Sequence, residues 1–82
     1  MTLNFFLSLT EEEQLALIER RGVYIGKRKC EPFHSLLFQV ETFYVELLYS
    51  RYRLHLAHIL CTRSVAILDS YLDIVDIGLL VN

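Results

Sequence analysis

The chain has no tryptophan, one proline, one methionine and only three glycines among its 82 residues. That scarcity, with no repeat and no polar run, excludes linker-rich and low-complexity architectures. It also leaves few positions where backbone chemistry alone sets a turn. Two cysteines, Cys30 and Cys61, do not make a disulfide framework. Both are expected as reduced thiols in a cytoplasmic protein, with Cys61 buried. No uncharged apolar run approaches the roughly 18 residues that span a bilayer. Residues 1–9 have neither the basic start nor the cleavage pattern of a signal peptide. Net charge is −2, so there is no global electrostatic case for nucleic acid or an anionic membrane.

What the chain does have is apolar side chain. Hydrophobic residues make up 54% of it, and mean hydropathy is +0.36. One small domain over 1–82 is expected, near the size where burial only just offsets chain entropy. Such a domain buries only about 60% of its unfolded surface. Some apolar surface is therefore expected to be left for a partner, most simply a second copy in a homodimer.

The organising stretch is Phe43-Tyr44-Val45-Glu46-Leu47-Leu48-Tyr49. Its β-formers put Phe43, Val45, Leu47 and Tyr49 on one face at period two. The other face carries Tyr44, Glu46 and Leu48, so the strand is largely apolar on both sides and belongs at the centre of a sheet. Ahead of it, Thr10 and Glu13 form a capping box. A helix should run from Glu11 to Arg21, with Leu15, Leu17 and Ile18 inward and Gly22 as its stop. Val23 to Lys29 reads as an edge strand, with Val23 and Ile25 facing in and Lys27, Arg28 and Lys29 in solvent. Pro32 breaks it, and 33–40 follows as a strand with His34, Leu36, Phe38 and Val40 on one face.

Residues 52–61 fit a fourth strand, although Leu56, Ala57, Leu60 and Cys61 also fit helical spacing. Ser64 suits an N-cap for a second helix over 65–75, with Leu68, Leu72 and Val75 inward and Asp69, Asp73 and Asp76 outward. The expected fold is α+β: an N-terminal helix, an antiparallel β-meander of about four strands, and a C-terminal helix. Two-residue turns at 41–42 and 50–51 set its register. Val40 faces Phe43, Phe38 faces Val45 and Leu36 faces Leu47, while Leu54 faces Leu47 and Leu56 faces Val45.

The run Leu37-Phe38-x-Val40-x-x-Phe43-Tyr44-Val45-Glu46-Leu47-x-Tyr49 resembles a family of short uncharacterised proteins from Bacteroidetes bacteria. So do Gly22-Val23-Tyr24-Ile25-Gly26-Lys27-Arg28 and Tyr71-Leu72-Asp73-x-x-Asp76-Ile77. The resemblance implies a small α+β protein and carries no activity, cofactor or catalytic residue. The chain departs from the family pattern at Ser50-Arg51, where a longer polar loop is usual.

Three constellations bear on function. In this register Glu46 lies between Leu37 and His55, with Tyr44 beside it and Leu48 next to Arg53. Tyr44, Glu46, Arg53 and His55 thus form a candidate partner or ligand face. The Glu46–His55 pair has the chemistry of a general acid and base, but no nucleophile motif, oxyanion device or glycine-rich loop accompanies it. No catalytic residue and no cofactor are expected. Arg20, Arg21, Lys27, Arg28 and Lys29 form a candidate anion patch, and a solvated helix end beside a guarded edge strand accounts for the same residues. His34 and His58 fall in rows about 20 Å apart and His55 on the opposite face, so no metal site is expected.

The functional expectation is a non-catalytic interaction module, self-associating through the Tyr44/Glu46/His55 face or the apolar termini. The alternative is a binder of a small ligand or anion through that face or the basic 20–29 segment. An enzyme, membrane binding and nucleic-acid binding are not expected.

Overall fold

The structure, a computed structural model, describes residues 1–52 and 55–71. Two helices, α1 (Leu3–Leu7) and α2 (Glu11–Arg21), precede four strands: β1 (Val23–Cys30), β2 (Phe33–Val40), β3 (Phe43–Ser50) and β4 (Leu56–Thr62). A C-terminal helix, α3, is described over 67–71. The fold is α+β, with one antiparallel sheet in the order β1-β2-β3-β4. Among the described residues no helix is long and apolar enough to cross a membrane.

Helix α2 starts where its sequence says it should. Thr10 accepts from the Glu13 N–H, and the Glu13 carboxylate accepts from the Thr10 N–H, which satisfies two end donors reciprocally. Gly22 ends the helix, but not by adopting a left-handed backbone: its φ is −75°. Its N–H instead bonds the Ile18 carbonyl at 2.7 Å, and a Cβ built on it would lie 2.5 Å from that oxygen. Close approach, not positive φ, is what requires glycine here.

Helix α1 was not foreseen. Thr2 caps it by accepting from the Phe5 N–H, and Phe6 plunges into the core against Phe43, ring centroids 5.4 Å apart. The buried Gln14 amide reaches back from α2 to the Phe6 carbonyl at 2.9 Å. That bond clamps the two helices together and satisfies a buried polar group.

The two helices cover one sheet face, where Phe6 and Ile18 join Val40, Phe43, Val45 and Leu47. Helix α3 covers the other, with Tyr71 against Leu37 and Tyr44. Every residue from Phe43 to Leu48 is consequently buried, as a central strand requires. The β2–β3 register is the expected one, with Val40 opposite Phe43, Phe38 opposite Val45 and Leu36 opposite Leu47. Glu41, at the two-residue turn, takes a φ of 53°. An extended run on each side of so short a turn leaves no freedom to slip.

The β3–β4 register differs from the expectation. Leu47 faces Ile59 rather than Leu54, and Val45 faces Cys61 rather than Leu56. The connection after Ser50 is a longer loop, closed where the Ser50 N–H bonds the His55 carbonyl at 2.8 Å. The displacement is five residues, an odd number, so it exchanges the two faces of β4. Ile59 and Cys61 now pack on the helix-covered core, and Leu60 takes the place opposite Glu46. The strand reading of this segment stands; its start moves from Tyr52 to Leu56.

Strand β1 also departs in detail. A bulge between Tyr24 and Gly26 leaves Val23 exposed, while Ile25 packs beneath α3. At the chain's far end, Ser64 accepts from the Ala66 N–H, a cap one turn ahead of α3. Leu68 faces inward as expected and Asp69 outward. The positions expected for Leu72, Asp73, Val75 and Asp76 lie outside the described residues.

Candidate functional site

The four residues of the mixed face do not stay together. Tyr44 and Glu46 lie side by side beneath α3 and are 9% and 8% exposed. His55 is exposed in the β3–β4 loop, removed from Glu46 by the register displacement. Arg53 lies outside the described residues. A Glu46–His55 acid–base pair is therefore not formed.

Glu46 has other partners, and they come from strands and a helix distant in sequence. The Tyr71 hydroxyl donates to Glu46 Oε2 at 2.5 Å. The Arg28 guanidinium donates to the same oxygen at 3.4 Å and lies over the Tyr71 ring, 5.3 Å from its centroid. Ser35 Oγ is 2.7 Å from the Tyr71 oxygen. A phenol has one proton, and Tyr71 spends it on a carboxylate that can only accept, so Ser35 must be the donor to Tyr71. Its longer contact, 3.4 Å to the Arg28 carbonyl, cannot use the same proton. The relay is Ser35 to Tyr71 to Glu46, with Arg28 closing it.

Burial pushes the Tyr71 phenol up to about 12, and its bond to Glu46 adds to this, while the bonds from Ser35 and Arg28 act the other way. Burial opposes the charge on Arg28, but contact with the Tyr71 oxygen and the Glu46 charge outweigh it and raise its pKa. Neither group is poised to exchange a proton near neutrality. The cluster is an anchor that docks α3 on the sheet. Arg28 Nε is buried with no partner among the described residues, so the guanidinium is engaged through its other nitrogens only. Arg28 was expected in solvent; Glu46 and Tyr71 draw it onto the sheet face instead. Tyr71 follows Leu68 by one helical turn, the spacing that could have flagged it as inward.

Beside this anchor, Leu37, Tyr44, Glu46, Leu60, Thr62 and Ile67 line a cavity of about 210 Å³ that also touches Cys61. The remaining members of the proposed anion patch separate into two groups. Arg20 and Arg21 are exposed at the end of α2. Arg21 lies 3.4 Å from Glu41, whose carboxylate also meets the Met1 amine at 2.7 Å. The bond from that amine, with the nearby Arg21 charge, holds Glu41 below the usual carboxylate range, against a smaller opposing effect of burial. Lys27 and Lys29 sit toward the opposite end of the sheet, across from Leu36 and His34.

The histidines are dispersed. His34 is on the face covered by α1 and α2, His55 is in the loop, and His58 is on the other face, opposite Leu48. His58 meets the Phe33 ring edge-on at 5.6 Å. Both thiols are free. Cys30 and Cys61 stand on opposite edge strands and in rows five residues apart, so strand spacing alone separates them by more than about 14 Å, beyond the reach of a disulfide. Burial raises the Cys61 thiol pKa, which lowers its reactivity.

Compared with family models, curated proteins and solved structures, the chain matches none.

The two sheet edges are the remaining surfaces, and they differ in kind. Strand β1 carries a bulge, a glycine and three consecutive cations, all devices that blunt an edge. Strand β4 reads Leu-Ala-His-Ile-Leu-Cys-Thr, with no Lys, Arg, Asp, Glu, Pro or Gly. Among the described residues no strand pairs with its outer side.

Proposed function

We propose that the chain is a non-catalytic interaction module that self-associates, and that the outer edge of β4 is the contact. The observation that carries this reading is the contrast between the two edges. A seven-residue, largely apolar strand without a charged guard, proline or glycine is a template for another strand.

A second copy fits it by chemistry. An antiparallel pairing of two β4 strands about Ile59 sets Ala57 against Cys61 of the other copy and His58 against Leu60. No like charges meet, and the two-fold closes the assembly. Pairing β1 with its own copy would instead crowd three cations from each strand into one seam. Leu60, 49% exposed, and Val65, 67% exposed, supply apolar surface at and just beyond β4. The two free thiols support a reducing, cytoplasmic setting.

The test is molar mass by light scattering over a hundredfold dilution, on the wild type and on Leu60→Lys. A concentration-dependent dimer that the lysine abolishes supports the reading. A monomer throughout, or a dimer indifferent to Leu60→Lys, overturns it.

A further inference from the structure

The other edge of the sheet carries a different chemistry. Lys27, Arg28, Lys29 and His34 line an open concavity of about 270 Å³. Lys27 and Lys29 project from the same face of β1, two residues apart, and His34 stands directly opposite Lys29 on β2. Helices α1 and α2 cover the other end of this face.

Among the described residues neither Lys27 nor Lys29 has an ion pair, while Arg28 is paired with Glu46. Of the described carboxylates near this edge, Glu31 pairs with Arg51 and Glu46 with Arg28 and Tyr71. Guarding an edge strand takes a lysine; it takes neither a hollow nor an imidazole on the neighbouring strand. Two lysines whose stems line one hollow from the same strand face, free to bring their ammonium groups to its mouth, with an imidazole on the neighbouring strand, suit a multiply charged oxyanion with several acceptor oxygens.

We propose that this concavity binds a compact, soluble phosphate-type oxyanion, held by Lys27 and Lys29 with His34 at its wall. Arg28 lines the rim but spends its guanidinium on Glu46. Arg20 and Arg21 take no part, because they stand at the other end of the sheet. The site uses nothing of β4, so it binds equally in a monomer and in a dimer, and its failure says nothing about self-association.

The probe is inorganic pyrophosphate, titrated into isotopically labelled protein at low salt and followed by amide shifts. The expected result is saturable shifts at residues 27–29 and 34. The Lys27→Gln/Lys29→Gln double variant should weaken binding at least tenfold with an unchanged melting temperature. Arg20→Gln/Arg21→Gln should leave binding within twofold. Raising salt tenfold should weaken the wild type by a similar order, as expected for exposed charges. No shift, shifts centred elsewhere, or equal weakening by both double variants overturns the proposal. So does retention by phosphatidic acid vesicles without any response to pyrophosphate.

Discussion

At the scale of single residues, two side-chain positions decide how firmly the ends of the fold are held. Tyr71 is the anchor of α3. Removing its hydroxyl in Tyr71→Phe leaves Ser35 with only its longer contact to the Arg28 carbonyl and Glu46 with Arg28 alone. The cost should be about 1–3 kcal/mol, the penalty for stranding buried polar groups, measured by urea denaturation. The hydroxyl also sets a pH signature. An unfolded chain releases this proton near ~10, whereas the folded protein holds it to about 12. The raised pKa means that the anchor's contribution is complete below pH 10 and is lost as pH rises from 10 through 12. Phenolate absorbance should show one tyrosine titrating at about 12, absent in Tyr71→Phe. In Glu46→Gln it should shift toward lower pH, because an amide holds the phenolic proton less firmly than a carboxylate. The second position is Gly22. Its missing Cβ would meet backbone, not a side chain that can swing away. Gly22→Ala should therefore destabilise by about 1–3 kcal/mol, as overpacking does, even though alanine is the better helix former. An unchanged urea midpoint would show that α2 shifts to make room.

At the scale of elements, legibility followed the strength of local rules. The capping box marked α2, and period-two patterns joined by a two-residue turn fixed β2 against β3 to the residue. The β3–β4 loop has no such mark. Ser50-Arg51 offers neither glycine nor asparagine, and 56–61 is largely apolar on both faces, Leu56 and Leu60 on one and Ala57, Ile59 and Cys61 on the other, which tolerates more than one register. Only the sum of packing on both faces selects Ile59 and Cys61 as inward. The five-residue α1 is too short to nucleate alone, and its apolar residues surround it, so no periodicity announces it. Tertiary contact creates it. Phe6 is fully buried against Phe43 and tied to Gln14. Phe6→Ala should cost about 3–5 kcal/mol, a large share of the roughly 5–15 kcal/mol that holds a domain together. Amide exchange should show α1 losing protection while β2 and β3 keep theirs; uniform loss would mean that α1 and the sheet fold as one unit. The candidate site suffered from the same gap. Tyr44 and Glu46 were correctly read as one face, but what covers that face is α3, whose Tyr71 is 25 residues from Glu46 along the chain.

At the scale of the whole molecule, the sheet has one guarded edge and, among the described residues, one open edge, and this asymmetry limits how copies can meet. Two molecules joined at β4 form a sheet of eight strands ending in β1 at both sides, where Lys27, Arg28 and Lys29 oppose further addition. An assembly built on β4 would therefore stop at two. A protein that grew by a head-to-tail contact, β1 on β4, would form open fibres; in a β4–β4 dimer both β4 edges are already used, so that contact is closed off. Association of this kind is coupled to folding by mass action. Raising the protein from near its dissociation constant to a hundredfold above it stabilises the folded chain by about 2 kcal/mol. For a chain of this length that moves the melting temperature by on the order of 10 °C. The wild type should show that rise with concentration, and Leu60→Lys should melt at one temperature throughout. The lysine replaces a side chain already half exposed, so it should leave the melting temperature of the dilute wild type unchanged. A lower plateau at every concentration would mean instead that Leu60 stabilises the monomer and that the open edge of β4 is covered by other means.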